Sequence, residues 1–165
     1  MPALEIVMTV TQDTPMKRQH LQPSPGSAAK SEPLAIHTTA PFRVTYANTD
    51  RMGHAYYANY LTWFEMGRVE LLRFLGQNYR DWEDQSDVFL PVKRCAVEYL
   101  RPAAFDDHIQ VETVMTRLTQ ASVYFHYRVL RGDDVLAIGS SEHPFVNKEG
   151  RIVRVADKLL PQFFS

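Results

Sequence analysis

The longest apolar periodicity in the chain runs through residues 46–75, YANTDRMGHAYYANYLTWFEMGRVELLRFL. At 100° per residue, Tyr57, Tyr60, Leu61, Phe64, Leu71, Leu72 and Leu75 fall on one face, a stripe wide enough to cover a core. The spacing predicts a long helix that Gly76 ends, glycine being the usual C-terminal signal. Upstream, Ile36 to Tyr46 reads as a strand, with Phe42, Val44 and Tyr46 on alternate positions and Pro41 at an edge or near the strand start. Gln77 to Asp87 is polar and reads as a connection with room for a helical turn.

From Val88 onward the period changes from 3.6 to 2. Val88 to Leu100 reads as a strand interrupted at Pro91. Ile109 to Thr116 and Ala121 to Val129 alternate, and Arg131-Gly132-Asp133-Asp134 is a hairpin signal. Val135 to Val146 is a further strand, Asn147 to Gly150 a second tight turn, Arg151 to Val155 a short last strand and Asp157 to Phe164 a short terminal helix. One strand, one long helix and then a run of hairpins give an α+β architecture, in which a curved antiparallel sheet wraps around one central helix. Such a sheet leaves long unpaired edges, which predicts at least a dimer.

Residues 1–35 differ. After a short apolar stretch they are rich in Pro, Ser, Gln and Lys, too poor in apolar surface to offset their ordering entropy, and are expected to form a disordered extension. The domain is then 36–165. Lys and Arg number 18 against 19 Asp and Glu, a balance that gives no basic excess for nucleic acid. Cys95 is the only cysteine, so neither an intrachain disulfide nor a cysteine zinc site is available. No apolar run approaches a membrane span, and the start lacks the basic region of a signal peptide. A cytoplasmic protein is expected.

The chemistry concentrates at the helix entrance, where Asp50, Gly53, His54, Tyr56 and Tyr57 crowd together. The first turn of a helix leaves backbone N–H groups unsatisfied and partly positive, fit for a developing oxyanion. Asp50 beside it can act as base or nucleophile, or as an Asx-turn or N-cap residue. Gly53 permits a backbone angle or a close approach. His54 can meet a substrate, shift the Asp50 pKa, or make an ordinary polar contact. Asn59 can bond the turn and orient Asp50, or cover the helix start. Arg68 falls on the apolar stripe and needs a partner, with Glu65 one turn earlier the nearest by spacing. His126 and His143 read as structural strand residues. No metal motif occurs and the proposed chemistry needs none.

The block TDRMGHAYYANYLTWFEMGRVELLRFLG resembles the signature of the 4-hydroxybenzoyl-CoA thioesterase family of hotdog-fold proteins. Within it the chain is most similar to the bacterial acyl-CoA thioesterase branch encoded near the Tol–Pal genes. VEYLRPAAFDD is similar to that family's strand and turn after the helix, and the resemblance spans roughly residues 38–160. It implies a hotdog fold, and a homodimer or homotetramer with active sites at the subunit interface. It also implies hydrolysis of an acyl- or aryl-CoA thioester to free CoA and a carboxylic acid, coenzyme A being part of the substrate and no cofactor being required. On the same grounds Asp50 is the catalytic carboxylate and the Tyr57 backbone N–H the donor to the thioester oxygen. That branch tends to have His where this chain has Tyr57. Another hotdog branch uses a helix Glu, a role Glu65 would take. Gly53, His54, Tyr56 and Asn59 are expected to border the substrate. Lys93, Arg94, Arg101, Arg128, Lys148, Arg151 and Arg154 are available for CoA phosphates, Arg151 and Arg154 being preferred. A hotdog acyl-CoA sensor and a hydratase or dehydratase on acyl-carrier substrates are the competing readings.

Overall fold

The computed structural model describes residues 32–164. The expected extension, residues 1–35, lies almost wholly outside them. Pro41 splits the first predicted strand into β1 (Ala35–Thr38) and β2 (Phe42–Arg43), which both pair with one long neighbour. A 3-10 turn (Tyr46–Asn48) follows, capped by the Asn48 side chain, which accepts from the Thr45 N–H at 2.9 Å. The long helix α1 spans Asn59–Phe74 and ends at Leu75 and Gly76, the glycine holding φ +77.

The polar connection contains a second helix, α2 (Tyr79–Ser86). Asn78 caps it by accepting from the Arg80 N–H, and Asp87 stops it in the left-handed region. Its one buried side chain is Trp82. Then come β3 (Arg94–Tyr99), β4 (His108–Thr119), β5 (Ser122–Arg131), β6 (Asp134–Pro144) and the short α3 (Ala156–Leu159). Only the part of Val88–Leu100 after Pro91 joins the sheet as a strand; before it, Phe89 makes an isolated bridge to Val146. The predicted last strand reduces to the bridge Val146–Ile152.

The sheet is antiparallel in the order β1-β4-β5-β6-β3, with β2 continuing β1 beside β4. Alternate residues of β4 and β5 (Ile109, Val111, Thr113, Met115; Val123, Phe125, Tyr127, Val129) are buried, which defines the inner face. α1 packs there, over β1, β4 and β5. Two glycines set the approach. A Cβ on Gly67 would strike Thr113 Oγ1 and come within 2.9 Å of Val111. A Cβ on Gly139 would strike the Phe64 ring and the Ala96 carbonyl. Phe64 stacks on Tyr127 at 4.3 Å.

The buried face of α1 is Tyr60, Trp63, Phe64, Gly67, Leu71 and Leu72, rotated from the predicted stripe. Trp63 goes in, edge-on to Phe42, while Leu61 stays 40% exposed. The expected Glu65–Arg68 pair does not form. Arg68 donates to the Tyr127 hydroxyl at 3.4 Å instead, because it sits over the polar chain Tyr127–Ser141–His143. Burial holds the His143 pKa down at about 4, with the Arg68 charge adding to it.

Candidate active site

The segment between the 3-10 turn and α1 is a small closed loop. Thr49 bridges Ala55, the Asp50 N–H donates to the His54 carbonyl at 2.8 Å, and the Gly53 N–H donates to the Asp50 carbonyl at 3.0 Å. Gly53 has φ +75 with nothing near a hypothetical Cβ, so the glycine serves a left-handed turn and not a close approach. The loop is clamped to the turn after β3. His54 bridges Ala104, and the Ala55 N–H donates to the Ala103 carbonyl at 2.7 Å. That turn is itself held by Asp107, which accepts from the Ala104 N–H at 2.8 Å and pairs with Arg131 at 2.7 Å.

Asp50 is exposed, and its Oδ1 accepts from the Met52 N–H at 2.8 Å. One carboxylate oxygen is thus fixed in an Asx-turn. The other is given no partner by the described residues, so the capping role and a chemical role are compatible in one side chain. Asn59 does not bond Asp50; its amide donates to the Asn48 carbonyl at 2.7 Å, where the Tyr56 N–H also donates, and so locks the helix start onto the turn before Asp50.

α1 begins without a side-chain cap, its N-cap position being Ala58. Alanine is a poor N-cap, yet the Asn59, Tyr60 and Leu61 N–H groups of the first turn are taken up by the Tyr56, Tyr57 and Ala58 carbonyls, so the free donors lie just before the helix. The Tyr57 and Ala58 N–H groups meet no acceptor among the described residues. The Tyr57 carbonyl, by contrast, is held by the Tyr99 hydroxyl at 3.0 Å. Beside it opens a cleft of about 300 Å³ lined by Ala55, Tyr57, Tyr60, Tyr99, Arg101 and Pro102, among others. The Tyr60 hydroxyl accepts from the Ala103 N–H at 3.1 Å, and burial raises the Tyr60 and Tyr99 pKa values, so both phenols stay neutral.

The chain belongs to the thioesterase-like superfamily, whose family profile matches residues 44–163. An acyl-CoA thioesterase, YbgC, of Haemophilus influenzae is 34% identical over 97 residues, 59% of this chain and 71% of that protein. A structure described as a probable thioesterase from Bartonella henselae superposes with a TM-score of 0.69 at 32% identity, covering 73% of this chain and 98% of that one. The DHNA-CoA thioesterase of Staphylococcus aureus superposes with a TM-score of 0.71 at 25% identity, covering 78% and 86%. The expected hotdog architecture and the place among thioester hydrolases are borne out.

Within this thioesterase-like chain, Asp50, Gly53, His54, Tyr56, Tyr57 and Asn59 share one corner. Arg151 and Arg154 do not. They are exposed on the segment that returns to the β4–β5 hairpin, where the Val155 N–H donates to the Gln120 carbonyl. The loop of Asp50 is clamped to the turn just before β4, at the other end of those strands. The residues that sequence reasoning left out are Tyr99 and Pro102 of the cleft, together with Arg51. Arg51 is exposed next to Asp50 and has no ion-pair partner among the described residues. Tyr99 and Pro102 stand inside the VEYLRPAAFDD block, so the signal was present. No cluster of His, Cys, Asp and Glu suited to a metal occurs among the described residues. None of the described helices is long and apolar enough to cross a membrane.

Proposed function

We propose that the protein hydrolyses acyl- or aryl-CoA thioesters to free CoA and a carboxylic acid. The observation that carries this reading is the placement, in one exposed corner, of the Asp50 carboxylate and the free Tyr57 and Ala58 N–H groups at the entrance to α1, beside an aromatic cleft. The thioester carbonyl accepts from the Tyr57 N–H, which stabilises the negative charge that develops on its oxygen. Asp50 then acts in one of two ways. As a nucleophile it bonds to the carbonyl carbon, the C–S bond breaks, the CoA thiolate leaves and takes a proton from water, and water hydrolyses the mixed anhydride. As a general base it takes a proton from water, and the hydroxide expels the thiolate.

Tyr57, Tyr60 and Tyr99 suit an aryl or short acyl group, in keeping with the 4-hydroxybenzoyl-CoA thioesterase resemblance; His54 and Tyr56 border the entrance. Arg51 is placed to meet a CoA phosphate. Arg151 and Arg154 would do so only for a CoA held at another copy's loop. The protein acts as a homodimer or a pair of dimers, in the cytoplasm. A panel of acyl-CoAs followed by free-thiol release tests the reading. Turnover of aryl or short-chain substrates is expected; binding of acyl-CoA without any release would favour a sensor.

A further inference from the structure

Three large apolar side chains stand in the open around the loop of Asp50. Tyr46, Met52 and Phe105 are 79%, 77% and 52% exposed. None belongs to the core cluster, and the hydrolytic chemistry uses none of them. Exposed apolar side chains scattered singly are ordinary, whereas a contiguous group marks a binding surface. Here the three converge. The Tyr46 and Phe105 rings meet edge to face, with centroids 5.6 Å apart and planes at 81°. The Phe105 N–H donates to the Gly53 carbonyl at 3.3 Å, which brings Met52 and Arg51 beside the pair. Asp106, the next residue, holds φ +72, where non-glycine residues are uncommon, and its N–H donates to the Val44 carbonyl at 2.9 Å. The turn that presents the Phe105 ring is thus held in one conformation.

This aromatic corner is continuous with the cleft. Ala55 against Ala103, His54 against Ala104 and Gly53 against Phe105 form three successive contacts between the loop and the turn. Ala55 lines the cleft at one end of that ladder, and Phe105 stands at the other, two residues or about 7 Å along. The charges around the corner leave one cation over. Asp106 pairs with Arg43 and Asp107 with Arg131, while Arg51 has no ion-pair partner among the described residues. An occupant that suits the corner has a flat π-face, a negative charge close to it, and a narrow arm that follows the ladder to the cleft. The adenine ring, the phosphates and the pantetheine arm of coenzyme A supply these three in one molecule.

We propose that Tyr46 and Phe105 seat the adenine ring of coenzyme A, with Met52 against its edge and Arg51 on a phosphate. The purine lies on the face of one ring and against the edge of the other, an arrangement that a perpendicular pair leaves open. The Met52 thioether is polarizable and flexible enough to follow an aromatic edge. Stacking on an exposed ring is tolerant of which base lies there, so the corner holds the nucleotide in place and does not choose it. The pantetheine arm then runs along the ladder and delivers the thioester to the Tyr57 N–H and Asp50. Binding at the nucleotide end thereby positions a carbonyl it never touches. The inference rests on the thioesterase reading and says where the far end of that substrate lies.

The test uses Y46A, F105A and Y46F in the full chain. Calorimetry follows the binding of coenzyme A and of pantetheine, which lacks the nucleotide. Y46A and F105A should each raise the Kd for coenzyme A at least about fivefold and leave that for pantetheine within about twofold. Y46F keeps the π-face and should bind coenzyme A as the wild-type chain does. Equal wild-type affinity for the two compounds would overturn the proposal. So would variants that weaken both alike, which would make the rings a support of the loop. Unchanged coenzyme A affinity in Y46A would also overturn it and leave the corner to a protein partner. Should F105A fail to fold by circular dichroism, Y46A and Y46F decide, the Tyr46 ring being the more exposed. Thiol release from acyl-CoA by the wild-type chain is measured separately. The expected losses of coenzyme A affinity on a protein that releases no thiol would sink the thioesterase reading alone.

Discussion

The Tyr99 hydroxyl donates to the Tyr57 carbonyl at 3.0 Å, tying the edge strand β3 to the peptide that opens α1. The carbonyl belongs to the same peptide unit as the Ala58 N–H and adjoins the Tyr57 amide. The bond thus fixes the orientation of the donors proposed to receive the substrate oxygen.

Tyr99→Phe removes that bond and keeps the ring. A neutral hydrogen bond of this kind is worth about 1 kcal/mol, so kcat/KM should fall three- to tenfold while the melting temperature changes little. Steady-state thiol release and thermal unfolding on the same preparation check it.

Gly53→Ala separates backbone strain from packing. Nothing surrounds the added methyl group, so the cost is that of the left-handed backbone alone, about 1–2 kcal/mol. Stability should drop modestly, and turnover more sharply, because the strain falls on the loop that carries Asp50. Gly139→Ala, which drives a methyl into the Phe64 ring and the Ala96 carbonyl, should behave oppositely and lose stability first.

His143 makes the fold sensitive to mild acid. It is fully buried, its Nε2 bonded to Ser141 at 2.7 Å and its Nδ1 to the Leu90 carbonyl at 3.2 Å. Its folded pKa of about 4 lies below the unfolded value of 6.5, so the unfolded chain binds more protons between those limits. The stability from keeping His143 neutral is complete above the unfolded pKa and is lost as pH falls toward 4, by about 3 kcal/mol at most. Denaturant titrations from pH 7 to pH 4 should show this slope, and His143→Gln should flatten it.

Much of this was legible in the chain. Period 3.6 found α1 and Gly76 its end, and period 2 with hairpin turns found β4, β5 and β6. Three misreadings have physical causes. α2 buries only Trp82, so it leaves no stripe to detect. The apolar positions of α1 are broad enough for more than one centre, and the sheet beneath selected Trp63 over Leu61. Arg68 turned inward to a hydroxyl on β5, and a contact between elements so far apart in sequence leaves no mark on local spacing. At the site, the loop of Asp50 was readable because its residues are contiguous. Tyr99 and Pro102 stood in the recognisable VEYLRPAAFDD block, but local spacing did not show that this later segment forms the cleft wall beside the entrance to α1. Arg151 and Arg154 show the same limit: sequence does not reveal which end of a sheet a returning segment reaches.

The Tyr57 side chain offers a check on which part of that residue matters. The amide is the proposed donor, so Tyr57→Phe should cost less than about tenfold in kcat/KM. A larger loss would bring the phenol into the mechanism.

The most direct measurement is kcat for Asp50→Asn on a good acyl-CoA substrate. Asparagine can still accept from the Met52 N–H and serves nearly as well in an Asx-turn, so the loop should keep its shape. What it lacks is the charge and basicity needed to attack the thioester or activate water. The account predicts a fall in kcat of about two orders of magnitude or more with little change in substrate affinity; hydrolysis at a near-normal rate would contradict it.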